Sequence, residues 1–295
     1  MTPQLIDALM ADKLLPRRAA DAHKGTCGRV YAFAGSRRYP GAARLCIRAM
    51  LRGGAGLVSA HVPEAIWALV AADTCEAMTA PLPEDGEGRF SLAGRDGLLQ
   101  ALRQADAAAI GPGLDRDGDL PALVGLALKT AGCPIVLDAD GINAFATHIH
   151  PLTDCPCVLT PHEGEFARLG GDTANPDRAA ATAELAERLH CVIVRKGPGT
   201  LVASARGDVR QNTTGNPGMA SGGMGDVLTG LIAALLGQGL TPFDAASLAV
   251  WLHGRAGDLC AEHFSPWSML PSDVVNALGD AFLQASHADK TGRDS

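Results

Sequence analysis

The chain has 295 residues, 47% of them hydrophobic and 19% charged, which is enough to bury a full core in one large domain or two small ones. A net charge of −7 without basic clusters excludes the positive stripe a nucleic-acid partner needs. No apolar run reaches membrane-spanning length, and residues 1–20 lack the continuous apolar core of a signal peptide. The expectation is a cytoplasmic protein with no membrane partner.

Cys27, Cys46, Cys75, Cys133, Cys155, Cys157, Cys191 and Cys260 are scattered through apolar surroundings. Only Cys155 and Cys157 stand close, and their C-x-C spacing has no second pair to complete a zinc site. All eight read as buried thiols of a reducing compartment.

Short apolar strands alternate with helical patterns along most of the chain. Strands are predicted at Arg29–Ala34, Gly56–Val62, Ala107–Ile110, Pro134–Asp138, Cys157–Thr160 and Cys191–Val194. Between them lie helical segments at Ala42–Arg52, Glu64–Ala71, Arg95–Gln104, Leu120–Ala131, Gly141–Thr147, Glu163–Leu169 and Ala179–Leu189. Residues 81–90, rich in Pro, Gly and acids, read as a surface loop. This alternation predicts an α/β fold, a mainly parallel sheet with helices on both faces. After residue 200 the order changes. Leu201–Ala205 and Asp208–Gln211 read as a polar hairpin about Arg206-Gly207, followed by a glycine-rich loop and helices at Val227–Leu236, Phe243–Glu262 and Pro271–Gln284. No repeat or linker divides the chain, so one domain over residues 1–295 is expected, with 1–20 and 286–295 peripheral and the polar tail frayed.

Ligands of open parallel sheets bind at the carboxyl ends of the strands. The unusual turns all fall there: Ala34-Gly35-Ser36, Gly111-Pro112-Gly113, Asp138-Ala139-Asp140, Thr160-Pro161-His162-Glu163 and Lys196-Gly197-Pro198-Gly199-Thr200. The richest segment is Asn216-Pro217-Gly218-Met219-Ala220-Ser221-Gly222-Gly223-Met224-Gly225-Asp226, running into an apolar helix. Glycines there open the unpaired N–H groups of a helix start to an anion. Asp226 either caps that helix or acts as a base beside a bound phosphate. Lys196 and its glycines fit a phosphate or a plain turn, without a Walker A pattern. Asn212 and Asn216 are ligand contacts or surface turn residues. Glu163 and Glu165 complement a helix dipole, and His162 has the chemistry to hydrogen-bond a polar substrate. Asp138 and Asp140 can help hold a magnesium nucleotide, and N-capping the Gly141 helix explains Asp140 equally well. No metal-ligand pattern such as H-E-x-x-H is present, and carboxylates beside phosphates favour Mg²⁺ held through water. The small residues Gly41-Ala42-Ala43 admit a planar ligand or close helix packing, and His253 reads as a core histidine.

Together with His23-Lys24-Gly25-Thr26, Leu114 and Leu159, these motifs resemble, in unbroken order from about residue 20 to about 280, the ADP-dependent NAD(P)H-hydrate dehydratases of the ribokinase-like superfamily. The resemblance implies a repair reaction: dehydration of the S epimer of hydrated NADH or NADPH (NADHX or NADPHX), using ADP with Mg²⁺ and releasing AMP and phosphate. It implies Asp226 at the ring hydroxyl, and Ala42, Gly113 and His162 at the hydrated cofactor. Lys196, Gly197, Pro198, Gly199, Thr200 and Gly225 would bind the nucleotide, and the assembly would be a homotetramer. Glu163 departs from the family, which usually has Pro there. The length leaves no room for the epimerase domain that many relatives carry, so a dehydratase alone is expected. An ATP-dependent kinase of a small hydroxymethyl vitamin precursor and a nucleotide-sensing protein on the same fold are the alternatives.

Overall fold

The computed structural model describes residues 1–116 and 118–291. Its centre is a ten-stranded sheet: β1 (Gln4–Ile6), β2 (Arg29–Phe33), β3 (Leu57–Pro63), β4 (Met78–Leu82), β5 (Ala107–Ile110), β6 (Ile135–Leu137), β7 (Cys157–Leu159), β8 (Val192–Arg195), β9 (Leu201–Ala203) and β10 (Val209–Asn212). The order across the sheet is β1-β10-β9-β8-β7-β6-β5-β2-β3-β4. Every pairing is parallel except the two that β9 makes, with β8 and with β10. Among the described residues eleven α-helices cover it: α1 (Ala8–Leu14), α2 (Pro40–Arg52), α3 (Glu64–Asp73), α4 (Arg95–Leu102), α5 (Leu120–Thr130), α6 (Ala139–Phe145), α7 (Glu163–Arg168), α8 (Arg178–Leu189), α9 (Met224–Gly237), α10 (Pro242–Phe264) and α11 (Pro271–Thr291).

Strand periodicity explains the layers. Along β6, Val136 faces one way while Ile135 and Leu137 face the other, and each side belongs to a separate apolar core. One core gathers α1, α2, α3, α9, α10 and α11, and the other gathers α4 to α8. The fold is a three-layer α/β/α arrangement of the ribokinase-like kind. The strand order reverses between β2 and β5, which opens a crevice at their carboxyl ends.

The core strands β2, β3 and β5 to β8 fall where the apolar runs predict. Elsewhere the structure corrects the sequence reading. Met78–Leu82 is an edge strand, not the start of a loop, and Pro81 is tolerated because only an edge strand can spare the N–H. The first twenty residues hold the opposite edge strand, with Ile6 fully buried, and a helix packed on α11. The hairpin read as polar has a buried strand, Leu201–Ala203, because α8 covers it. Helix α11 runs past its expected end at Gln284 to Thr291. The last four residues of the tail expected to fray lie outside the described residues. Among the described residues no helix is long and apolar enough to cross a membrane.

Candidate active site

Adjacent strands deliver their polar exits side by side: Asp138 after β6, Thr160 after β7 and Lys196 after β8. Asp138 is buried, yet its carboxylate is fully engaged. Oδ1 accepts from Thr160 Oγ1 at 2.7 Å and from Lys196 Nζ at 2.8 Å, and Oδ2 accepts from Thr229 Oγ1 at 2.8 Å. Burial pushes this carboxyl up. The Lys196 charge and the three hydrogen bonds outweigh it and hold Asp138 below the usual range. Lys196 is the mirror case: burial favours its neutral form, while Asp138 and Glu165 keep it charged and raise its pKa.

Helix α9 begins against this cluster. Gly223 is its N-cap, so Asp226 stands in the third position of the first turn and is not the cap. Asp226 accepts no hydrogen bond among the described residues. Burial, and then the charge of Asp138, push its carboxyl up to about 7. Among the described residues the N–H groups of Gly222, Gly223, Gly225 and Asp226 find no acceptor, which leaves a donor cluster at the positive end of the helix. Gly225 keeps this contact uncrowded: a Cβ there would lie 3.3 Å from Lys196 Nζ and 3.5 Å from Asp138 Oδ2 and would press on the ion pair.

Two pockets meet at this turn. The larger, about 790 Å³, is lined by Lys196, Gly197, Pro198, Gly199, Thr200, Gly225 and the loop from Thr214 to Ser221. The smaller, about 540 Å³, is lined by Arg38, Tyr39, Ala42, Gly113, Asp115, Arg116, Asp140 and Asp226. Gly113 has φ +63°, and a Cβ there would sit 2.8 Å from that of Ala42 and 2.7 Å from that of Tyr39, so any side chain would push into the first turn of α2.

Of the residues expected at the hydrated cofactor, Ala42, Gly113 and Asp226 come together. His162 does not join them and lines the larger pocket. Its ring caps α7, Nδ1 accepting from Gly164 N at 3.0 Å, while the Glu165 carboxylate accepts from His162 N at 2.8 Å. The unusual Glu163 pairs with the fully buried Arg195, whose guanidinium stacks on Phe166 at 4.0 Å. Asn212 is buried and donates to Val250 O, so it is not a surface turn residue. Asn216 holds its own loop through Gly218 N and Asp258. Asp140 caps no helix. It accepts from Asp115 N and Asn143 and lies 3.4 Å from Arg116.

Thr229, Asp258, Arg38 and Arg116 escaped the sequence reading. Thr229 had one signal: three residues after Asp226, it shares that face of the helix. His253, read as a core residue, is buried but also lines the larger pocket, with Nε2 unpartnered. Among the described residues no cluster of three His, Cys, Asp or Glu side chains could hold a metal ion. Asp138 and Asp140 already spend their oxygens on protein donors, so the side chains do not form a magnesium cage.

A family model described as NAD(P)H-hydrate dehydratase matches residues 30–279. The chain belongs to the NAD(P)H-hydrate dehydratase family. It is 36% identical to an ADP-dependent (S)-NAD(P)H-hydrate dehydratase of Bacillus subtilis, over 90% of this chain and 92% of that protein. It is 45% identical over 280 residues to the bifunctional NAD(P)H-hydrate repair enzyme Nnr of Moorella thermoacetica, spanning 93% of this chain and 53% of that protein. The chain thus covers about half the length of its bifunctional relatives. The solved structure of a B. subtilis ADP/ATP-dependent NAD(P)H-hydrate dehydratase, co-crystallised with ATP and Mg²⁺, superposes with a TM-score of 0.84 at 32% identity, covering 97% of this chain and 99% of that one.

Proposed function

We propose that this protein dehydrates the S epimer of hydrated NADH or NADPH at the expense of ADP. The observation that carries the reading is the free Asp226 carboxylate where the two pockets meet, with the unpaired N–H groups of the same helix turn beside it. The hydrated nicotinamide ring takes the smaller pocket, its flat face against Ala42 and Gly113. ADP takes the larger, with its phosphates against Lys196, Gly197 to Thr200 and Gly225. His162 and His253 sit on the nucleotide side.

Asp226 removes the proton from the ring hydroxyl, whose oxygen attacks the terminal phosphorus of ADP. The bond to the bridging oxygen breaks and AMP leaves. The ring nitrogen lone pair then expels phosphate, breaking the carbon–oxygen bond, and loss of a ring proton restores the reduced nicotinamide. Phosphorylation is needed because hydroxide is a poor leaving group and phosphate a good one. The α9 donor cluster and Lys196 stabilise the charge on the transferring group. Mg²⁺ would be held on the nucleotide phosphates and through water, where it would neutralise phosphate charge, since the described side chains offer no cage. Arg38 and Arg116, exposed on the rim of the smaller pocket, meet the phosphates of the dinucleotide. A cytoplasmic homotetramer completes the reading, and light scattering on the purified protein tests the assembly.

The deciding experiment supplies NADHX and NADPHX with ADP or ATP and follows recovery of reduced-nicotinamide absorbance. Recovery with release of AMP and phosphate is expected. No recovery with either nucleotide would sink the reading, and a stable phosphorylated alcohol from a vitamin precursor would establish the kinase instead.

A further inference from the structure

At the edge of the sheet opposite the active site, four cysteines gather at the entrances of three neighbouring strands. Cys133 precedes β6, Cys155 and Cys157 lead into β7, and Cys191 precedes β8, all of them buried and free. Within this group Cys155 Sγ and Cys157 Sγ lie 3.0 Å apart. Residues two apart have Cα atoms within about 7 Å, close to the span a disulfide bridges. The chain bends at Asp154 and Cys155 before β7 begins, which turns both side chains inward together. Cys155 is buried between two exposed residues, Asp154 and Pro156.

We propose that Cys155 and Cys157 form a redox dithiol that closes to a disulfide when a peroxide reaches the Asp154–Pro156 bend, with Cys155 the attacking sulfur. The Cys155 thiolate attacks the peroxide, forming an S–O bond as the O–O bond breaks and water leaves. Cys157 then attacks the Cys155 sulfur, forming the S–S bond as the S–O bond breaks and a second water leaves. Two thiols and one peroxide give one disulfide and two waters. The electrostatics favour this order. The hydrogen bond shared by the two sulfurs lowers the Cys155 thiol below its usual range, and the same bond together with burial holds Cys157 well above it. Cys133 and Cys191 raise Cys157 further and leave it the resolving partner.

The test treats the native protein with hydrogen peroxide, blocks remaining thiols with N-ethylmaleimide under denaturing conditions, then reduces, labels with iodoacetamide and maps the peptides. The expected result is a monomer lighter by two hydrogens, with iodoacetamide on Cys155 and Cys157 and N-ethylmaleimide on Cys46 and Cys260. In Cys157→Ser, a sulfenic acid accumulates on Cys155 and is trapped by dimedone, whereas Cys155→Ser leaves Cys157 a thiol. N-ethylmaleimide on both residues of the oxidised wild-type protein, or a bridge from Cys155 to Cys133 or Cys191, would overturn the proposal. The wild-type map decides the matter even if a variant fails to fold.

Discussion

Asp138 and Asp226 face the same lysine and are driven in opposite directions. Asp138 has three donors and sits low, while Asp226 has none and rises to about 7. A carboxylate poised near neutral pH suits a general base, and one locked in an ion pair suits a scaffold. Asp226→Asn is therefore expected to lower kcat by ~10²–10⁴ with the fold intact. For the wild type, kcat/KM should fall about tenfold per pH unit below about 7, since the protonated carboxyl cannot take the hydroxyl proton. The stability sign runs the other way. The folded pKa lies above the unfolded value of about 3.9, so ionising Asp226 costs stability progressively from about pH 4 upward. The melting temperature of Asp226→Asn should then exceed that of the wild type at pH 8 and converge with it near pH 4. Lys196→Met strands Asp138 as a buried charge and should cost about 3–5 kcal/mol in urea unfolding at pH 7. The Asp138 contribution is present above its unfolded pKa and lost as pH falls through its lower folded value, so this penalty shrinks in acid.

At the level of elements, α7 shows how the fold neutralises a buried charge. Glu163 opens the helix and pairs with Arg195, the residue before Lys196. Glu163→Ala leaves that guanidinium without its carboxylate, and loss of these charged hydrogen bonds should cost about 1.5–3 kcal/mol. Because Arg195 leads directly into the 196–200 loop, the same variant should raise KM for ADP more than it lowers kcat, as initial-rate kinetics would show. The strands that carry the site were legible because burial on both faces makes them continuous apolar runs. The polar exits stood out against those runs, which is why Asp138, His162, Lys196 and Asp226 were all named. Strands β1 and β4 were illegible because they are short edges, one of them carrying Pro81. The placement of His162 was illegible for another reason: the pocket a strand-end residue lines depends on where α9 crosses the sheet, and that is a tertiary property. The Glu163–Arg195 pair joins residues 32 apart, and no local pattern announces it.

Across the whole molecule, the larger pocket, the proposed nucleotide site, is closed on one side by the far edge of the sheet. Asn212 ends β10, which pairs with β1, and Thr213 donates to Ile6 O at 2.6 Å. Ile6→Ala removes a fully buried side chain from that edge and should cost ~2–5 kcal/mol. Saturating ADP should offset part of the loss, since a ligand at a hundred times its Kd adds about 2.7 kcal/mol. Differential scanning calorimetry with and without ADP measures both.

Strand β9, which alone runs against its neighbours, has one more effect. Because β8 turns straight back into β9, the 196–200 loop is a short return with no helix behind it, while α9 arrives separately. In the proposed reaction, grip and chemistry therefore ride on two segments that meet at the Lys196–Asp138–Thr229 cluster. A change of loop length between Gly197 and Thr200, beyond that cluster, is then expected to retune which nucleotide the proposed site holds while leaving Asp226 where it stands.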